Sequence, residues 1–251
     1  MVSRRIFDSV DELLAGATRR EPFAPAVRRS TAGFERAWID GEPHIVKYLH
    51  ADDDFAMRAY GDLGSRTLLA YGAGLFDAAA EVIDHAVVGM ARGVGRNGWG
   101  CAVLMRDVTG DLATTDDRPF GGEQHERFVD HLAGMCASTW GWRDDLGLLP
   151  YGTRWVLMGP ATIAAELASP SPEPVVPIVS DGLARLEQLA PRDVCAGIRE
   201  LQRDIGVLAD ALAATPSCFL HGDWKASNLG TAEDGRTVLI DWVYLGEGPG
   251  C

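Results

Sequence analysis

The chain has 251 residues, 47% of them hydrophobic and 24% charged, with a net charge of −13 when its histidines are neutral. That length suits one compact unit or two modest lobes, and the ordinary composition excludes disordered or collagen-like chains. The acidic balance argues against nucleic acid as a partner, and no apolar run approaches the roughly 20 residues of a bilayer span.

At the N-terminus Asp8, Asp11 and Glu12 interrupt what would be the apolar centre of a signal peptide, so a cytoplasmic protein without membrane attachment is expected. Ser9-Val10-Asp11-Glu12 has the capping-box pattern and predicts a short helix through Leu13 and Leu14. Phe34 to Ile39 and His44 to Leu49, around Asp40-Gly41-Glu42-Pro43, predict a β-hairpin. The acids Asp52, Asp53 and Asp54 read as caps of a helix that begins at Phe55. Ile83 to Met90 and Trp99 to Val108 predict a second hairpin around Gly93 to Gly98. After a polar connector from Thr109 to Gly122, apolar residues recur at helical spacing over Glu123 to Trp142, Trp155 to Ala168, Ile178 to Leu189 and Arg192 to Ala214, with Ser169 to Pro177 a Pro-rich link. Five cysteines without a close pair predict reduced thiols rather than a disulfide or metal framework. The expected organisation is an N-terminal β-rich lobe over residues 1–108, a hinge over 109–122 and a helical lobe over 123–251.

Gly93-Val94-Gly95-Arg96-Asn97-Gly98 matches the dinucleotide fingerprint, but the β-prone residues after it predict a hairpin turn, not the helix that a phosphate site needs. The chemistry gathers instead in Cys218-Phe219-Leu220-His221-Gly222-Asp223-Trp224-Lys225-Ala226-Ser227-Asn228, followed by Val238-Leu239-Ile240-Asp241-Trp242. A polar loop lies here between two short apolar strands. Asp223 could accept a proton from an attacking hydroxyl, while Asn228 and Asp241 offer oxygen ligands for Mg²⁺ against nucleotide phosphates. A metal hydrolase built on His221, Asp223 and Asp241 is the competing reading of the same residues.

His221-Gly222-Asp223-x-x-x-x-Asn228 with Ile240-Asp241-Trp242 resembles the catalytic loop and metal motif of the aminoglycoside phosphotransferase and choline kinase-like family, which has the protein kinase-like fold. The resemblance runs coarsely over nearly the whole chain. It implies an α+β, bilobal fold with a small antiparallel β-rich N-lobe and a larger, mainly helical C-lobe. The implied activity is an ATP-dependent, Mg²⁺-requiring transfer of the γ-phosphoryl group to a small-molecule hydroxyl. Asp223 would be the base, Asn228 and Asp241 the Mg²⁺ ligands, and His221 a brace for the loop. Lys47, mid-strand in Ile45 to Leu49, would orient the α- and β-phosphates, and Lys225 would contact the transferred phosphoryl group. These two are the chain's only lysines; every other basic residue is arginine. Ser30, in the turn before Phe34, could offer backbone to the phosphates, and Arg106 to Val108 could receive adenine through main-chain groups.

The sequence departs from the family pattern in two places. Gly64-Ser65-Arg66-Thr67 stands where the acid partner of Lys47 is expected, leaving Asp62 as its candidate. The chain ends shortly after the metal motif, as a fragment lacking the family's last helices would. A nucleotide-binding protein without turnover is therefore the alternative function. Net charge favours a cationic acceptor, such as an aminoglycoside or amino alcohol, with sugars also open.

Overall fold

A computed structural model describes residues 4–25, 33–113, 121–155 and 157–250. Ser30 and part of the expected hinge, residues 114–120, lie outside the described residues.

The first half builds a six-stranded sheet from β1 (Ile6–Phe7), β2 (Ala17–Pro22), β3 (Gly33–Ile39), β4 (Glu42–Leu49), β6 (Val87–Val94) and β7 (Gly100–Arg106), in the order β1-β6-β7-β4-β3-β2. Every pairing is antiparallel except that of β1 with β6. The β3–β4 hairpin turns on Asp40 and Gly41, with φ of 52° and 86°. Positive φ at both central residues matches the right-handed twist of the strands, and Asp-Gly is the pair that tolerates it. Both faces of the sheet are covered. Val46, Ala102 and Leu104 pack beneath Leu13 of the short helix α1 (Val10–Leu13) and its C-cap Leu14, while Ile45, Leu49, Val103 and Met105 face the rest of the molecule. Period-2 alternation puts Lys47 on this second, inward face.

Two short helices, α2 (Phe55–Tyr60) and α3 (Arg66–Ala73), follow β4, and a 3-10 turn at Leu75–Ala79 leads to β5 (Ile83–Asp84). The second half carries α4 (Gly122–Ser138), a 3-10 turn at Tyr151–Trp155, then α5 (Pro160–Leu167), α6 (Val175–Leu189), α7 (Arg192–Arg203) and α8 (Gly206–Ala213). Short strands β8 (Ser217–Leu220), β9 (Leu229–Thr231), β10 (Thr237–Leu239) and β11 (Gly246–Pro249) complete it. β10 lies between β5 and β9, and β11 pairs antiparallel with β8. The molecule is thus α+β and bilobal, as expected, with an antiparallel-rich sheet followed by a mainly helical part. No helix among the described residues is long and apolar enough to cross a membrane.

Several boundaries differ from the sequence-based expectation, each for a local reason. The strand expected over Ile83 to Met90 is two strands, because Asp84 accepts the backbone N–H of Ala86 at 3.0 Å and Ala86 turns with φ 57°. The single helix expected over Arg192 to Ala214 breaks at Asp204, whose extended backbone and bond to the Gly206 N–H at 2.8 Å start α8 afresh. The helix expected from Trp155 opens only at Pro160, which sits in the first turn where its missing N–H is not needed. α6 begins at Val175, inside the expected Pro-rich link, and takes Pro177 into its first turn for the same reason. α4 ends at Ser138 rather than Trp142. Strands β1 and β2 were not expected at all. Gly93, Gly95 and Gly98, all at positive φ, make the turn between β6 and β7 and open no helix.

Candidate active site

The site is assembled from β4, the loop after β8 and the turn after β10. Lys47 is 6% exposed on the inward face of β4, and its Nζ lies 2.5 Å from Asp241 Oδ1, across 194 residues of sequence. Phe34, its cross-strand neighbour on β3, presents its ring 5.8 Å from the same ammonium. Asp241 holds a left-handed backbone with φ 69°, which costs a non-glycine residue roughly 1 kcal/mol. Burial alone would raise the Asp241 pKa, but the charge and hydrogen bond of Lys47 outweigh it and hold the carboxyl below its ordinary range.

The His221 to Asn228 loop is fixed from below by His221, which is 1% exposed. Its Nε2 donates to the Ile240 carbonyl at 3.0 Å, and its Nδ1 accepts the Asp223 N–H at 3.2 Å. Those partners assign the Nε2–H tautomer, and burial pushes the pKa down to about 4, so the ring stays neutral. Trp242 meets it edge to face at 4.7 Å and stacks on Phe76 at 4.4 Å, carrying the loop on an aromatic layer. Gly222 has φ +84°, and a Cβ there would collide with the Tyr244 carbonyl and the Arg154 guanidinium. Only glycine fits this close approach.

Asp223 Oδ2 accepts from Lys225 Nζ at 2.6 Å and from Asn228 Nδ2 at 2.9 Å. Asn228 Nδ2 also donates to the Asp223 carbonyl at 3.0 Å, which leaves the amide oxygen as the end not committed to Asp223. The Ile240 N–H donates to the Asn228 carbonyl at 3.1 Å, so the amide and Asp241 stand on adjacent backbone. Four of the sequence-selected residues, Asp223, Lys225, Asn228 and Asp241, therefore share one loop cluster, and Lys47 reaches it from the sheet. Among the described residues no group of three or more His, Cys, Asp or Glu side chains forms a metal cluster. One carboxylate and one amide oxygen do suit Mg²⁺, which keeps several waters and takes its remaining oxygens from phosphates.

Arg106 and Val108 lie at the exit of β7, apart from this cluster. Arg106 donates its backbone N–H to Ala86 at 3.0 Å and its guanidinium to Asp84. The Val108 carbonyl accepts the Asp111 N–H at 2.9 Å. These bonds tie both residues into the fold.

Asp62 is a correction to the sequence reading. Its Oδ1 accepts the Arg66 N–H at 3.0 Å at the start of α3, where it caps a helix and does not pair with Lys47. The acid run before α2 likewise divides its work. Asp54 caps the helix through Met57 N at 2.9 Å, whereas Asp52 Oδ2 accepts the Arg96 N–H at 2.7 Å. Asp54 is also buried within electrostatic range of Lys47 and Asp241; burial raises its pKa, and those neighbours pull in opposite directions. Sequence reading saw only its capping signal. Thr67, equally missed, donates from α3 to the Trp242 carbonyl at 2.8 Å and anchors the metal-motif turn. No spacing signal marks a contact over 175 residues.

No family model matches the chain, and no characterised protein matches it by sequence. Solved structures of small-molecule kinases are similar to it in fold. Choline kinase LicA from Streptococcus pneumoniae is 14% identical, with 96% of this chain and 68% of that one aligned and a TM-score of 0.48. The aminoglycoside phosphotransferase APH(3'')-Id from Streptomyces rimosus is 18% identical over 94% of this chain and 75% of that one, with a TM-score of 0.46. Spectinomycin phosphotransferase APH(9)-Ia, solved with ADP and spectinomycin, is 10% identical over 93% and 66%, with a TM-score of 0.43. At such distances the site's own geometry, not the likeness, has to carry any functional reading.

Proposed function

We propose that this protein is an ATP-dependent phosphotransferase that moves the γ-phosphoryl group to a hydroxyl of a small molecule in the cytoplasm. The observation that supports it is the Lys47–Asp241 pair at 2.5 Å beside the Asp223–Asn228 loop. An ammonium suited to phosphate oxygens and a carboxylate suited to a hard cation neutralise each other until a metal–nucleotide complex separates them. In this reading residues 1–108 cover the nucleotide, residues 109–122 connect, and residues 123–251 supply the chemistry. On this reading main-chain groups of the Arg106 to Val108 segment would receive adenine.

Asp223 takes the proton of the acceptor hydroxyl as its oxygen attacks the γ-phosphorus; the bond to the β–γ bridging oxygen breaks and ADP leaves. Lys225, on Asp223 Oδ2, then has its charge beside the phosphoryl group in flight. Asn228 and Asp241 would hold Mg²⁺, which when bound neutralises charge on the phosphates. Asp54, a buried acid within electrostatic range of Lys47, would be the carboxylate left near the ammonium where Asp241 serves the metal. His221 does no chemistry; it holds the Asp223 backbone. Calorimetry with ATP in the presence and absence of Mg²⁺, followed by ADP release with a panel of hydroxyl acceptors, tests the proposal. Magnesium-dependent binding with acceptor-dependent ADP release supports it. Binding without release for any acceptor would favour a nucleotide-binding protein, and no ATP binding would overturn both.

A further inference from the structure

The Tyr151–Trp155 turn carries a basic residue that the phosphotransfer scheme does not use. Arg154 Nη1 donates to the Tyr244 carbonyl, immediately beside Gly222 and the Asp223 loop. Its Nε and Nη2 are shut off from solvent and bonded to nothing among the described residues. Burial lowers its pKa, the side chains that partly offset this are the phenols of Tyr60 and Tyr151, and among the described residues no carboxylate forms an ion pair with it. A guanidinium is always charged, so two donors of a cation are held from water here without a counter-anion, an arrangement that costs stability. Its planar fork matches a carboxylate or phosphate in two-point geometry, and both free nitrogens, Nε and Nη2, are the pair that such a fork uses.

We propose that Arg154 is an oxyanion receptor on the acceptor side of the Asp223 loop. Its ligand is a phosphate- or carboxylate-type group, carried by the acceptor or by the transferred phosphoryl group itself. The assignment of that role rests on the phosphotransfer reading, whereas the anion site does not. It departs from the expectation of a cationic acceptor, because a net charge of −13 describes the whole surface and Arg154 describes one point in the site. The oxyanion would reach Nε and Nη2 by displacement of the Tyr151–Trp155 turn, none of whose five residues is fully buried.

The test uses the full chain with inorganic phosphate and acetate as probes. In ¹⁵N-labelled protein the Arg154 Nε–Hε resonance is expected to shift saturably with either anion. Phosphate at ten times its dissociation constant should raise Tm by about 3–6 °C. Arg154→Met keeps the stem's packing and removes the charge; it should melt at or above wild type without anion and gain nothing beyond the general salt effect that both proteins share. Should Arg154→Met fold poorly, Arg154→Lys, which keeps the charge but loses the fork, is expected to bind phosphate at least about tenfold more weakly. MgATP titrations distinguish the sources. Affinity unchanged within threefold in the variants points to an anionic group on the acceptor, and a tenfold or greater loss points to the phosphoryl group. Equal anion shifts in wild type and variants, or none in either, would overturn the proposal and leave Arg154 as a structural donor to Tyr244. A protein that binds no MgATP yet passes the phosphate titration would refute the phosphotransfer reading alone.

Discussion

Replacing Lys47 by methionine separates what its charge does from what its stem does. The stem is buried on β4 and methionine fills nearly the same volume, so the sheet should survive. The charge is another matter. Asp241 loses its partner at 2.5 Å while its side chain is still only 31% exposed. Breaking a buried pair costs about 3–5 kcal/mol, and the partial exposure of Asp241 brings the expected loss to roughly 1–3 kcal/mol at neutral pH. The pH dependence has a definite sign. In wild type the Asp241 pKa is depressed, so its contribution to stability is present above the unfolded value of about 3.9 and is lost as pH falls through the folded value. Without Lys47, burial dominates and the pKa moves up, so ionised Asp241 becomes destabilising. The gap between variant and wild type should therefore begin to shrink as pH falls through the variant's raised Asp241 pKa and close below the depressed wild-type value, measured by urea denaturation across a pH series. Asp241→Asn in the Lys47→Met background should recover most of the loss. On the functional side a charge-assisted hydrogen bond contributes about 1.5–3 kcal/mol, so ATP affinity in Mg²⁺ should fall about 10- to 100-fold while adenosine changes less than threefold. A gap that ignores pH, or equal losses for ATP and adenosine, would refute this account of Lys47.

Asp223→Ala should lower turnover by about 10²–10⁴-fold while ATP affinity stays within a few-fold, because a base acts in the transition state; single-turnover kinetics beside calorimetry would check it. Asp241→Asn should lose both rate and the magnesium dependence of ATP binding, and an unchanged magnesium titration would exclude Asp241 as a ligand. For His221, whose folded pKa near 4 lies below the unfolded value, the neutral ring's contribution is complete above about pH 6.5 and is lost as pH falls toward 4. His221→Phe should flatten that part of the stability profile by up to roughly 3 kcal/mol, and a slope identical to wild type would show that folding does not lower the ring's pKa.

What the sequence disclosed and what it hid follow from the range of the forces involved. The Ser9 cap, the Asp40-Gly41 turn and the loop from His221 to Asn228 are local arrangements, in which residue type and backbone conformation are tied within a few positions. They were legible. β2 was not, because Ala17 to Pro22 is an edge strand whose exposed, charged residues carry no alternation of apolar and polar. β11 was hidden for a similar reason: Gly246 to Pro249 has no strand propensity, and only its pairing with β8 extends it. Asp62 and Asp54 show the same limit within the site. Both are acids near helix starts, and sequence cannot say which one the tertiary fold brings within electrostatic range of Lys47.

The hidden contacts are also the ones that make the site a single object. Thr67 holds the Trp242 carbonyl from α3, His221 holds the Ile240 carbonyl and the Asp223 amide, and Lys47 holds Asp241 from the sheet. Each joins segments that a linear motif lists as separate, and each is buried enough that losing one partner leaves a polar group unsatisfied. Two of the three, those of Thr67 and His221, bind backbone and can remain in place throughout a reaction cycle. The Lys47–Asp241 pair alone joins two side chains of opposite charge, and on the phosphotransfer reading each would find a better partner in a metal–nucleotide complex. Of these three ties it is therefore the one that ligand binding would exchange without breaking the frame. That is why the charge at Lys47, rather than the packing around it, should govern how the two halves respond to ATP.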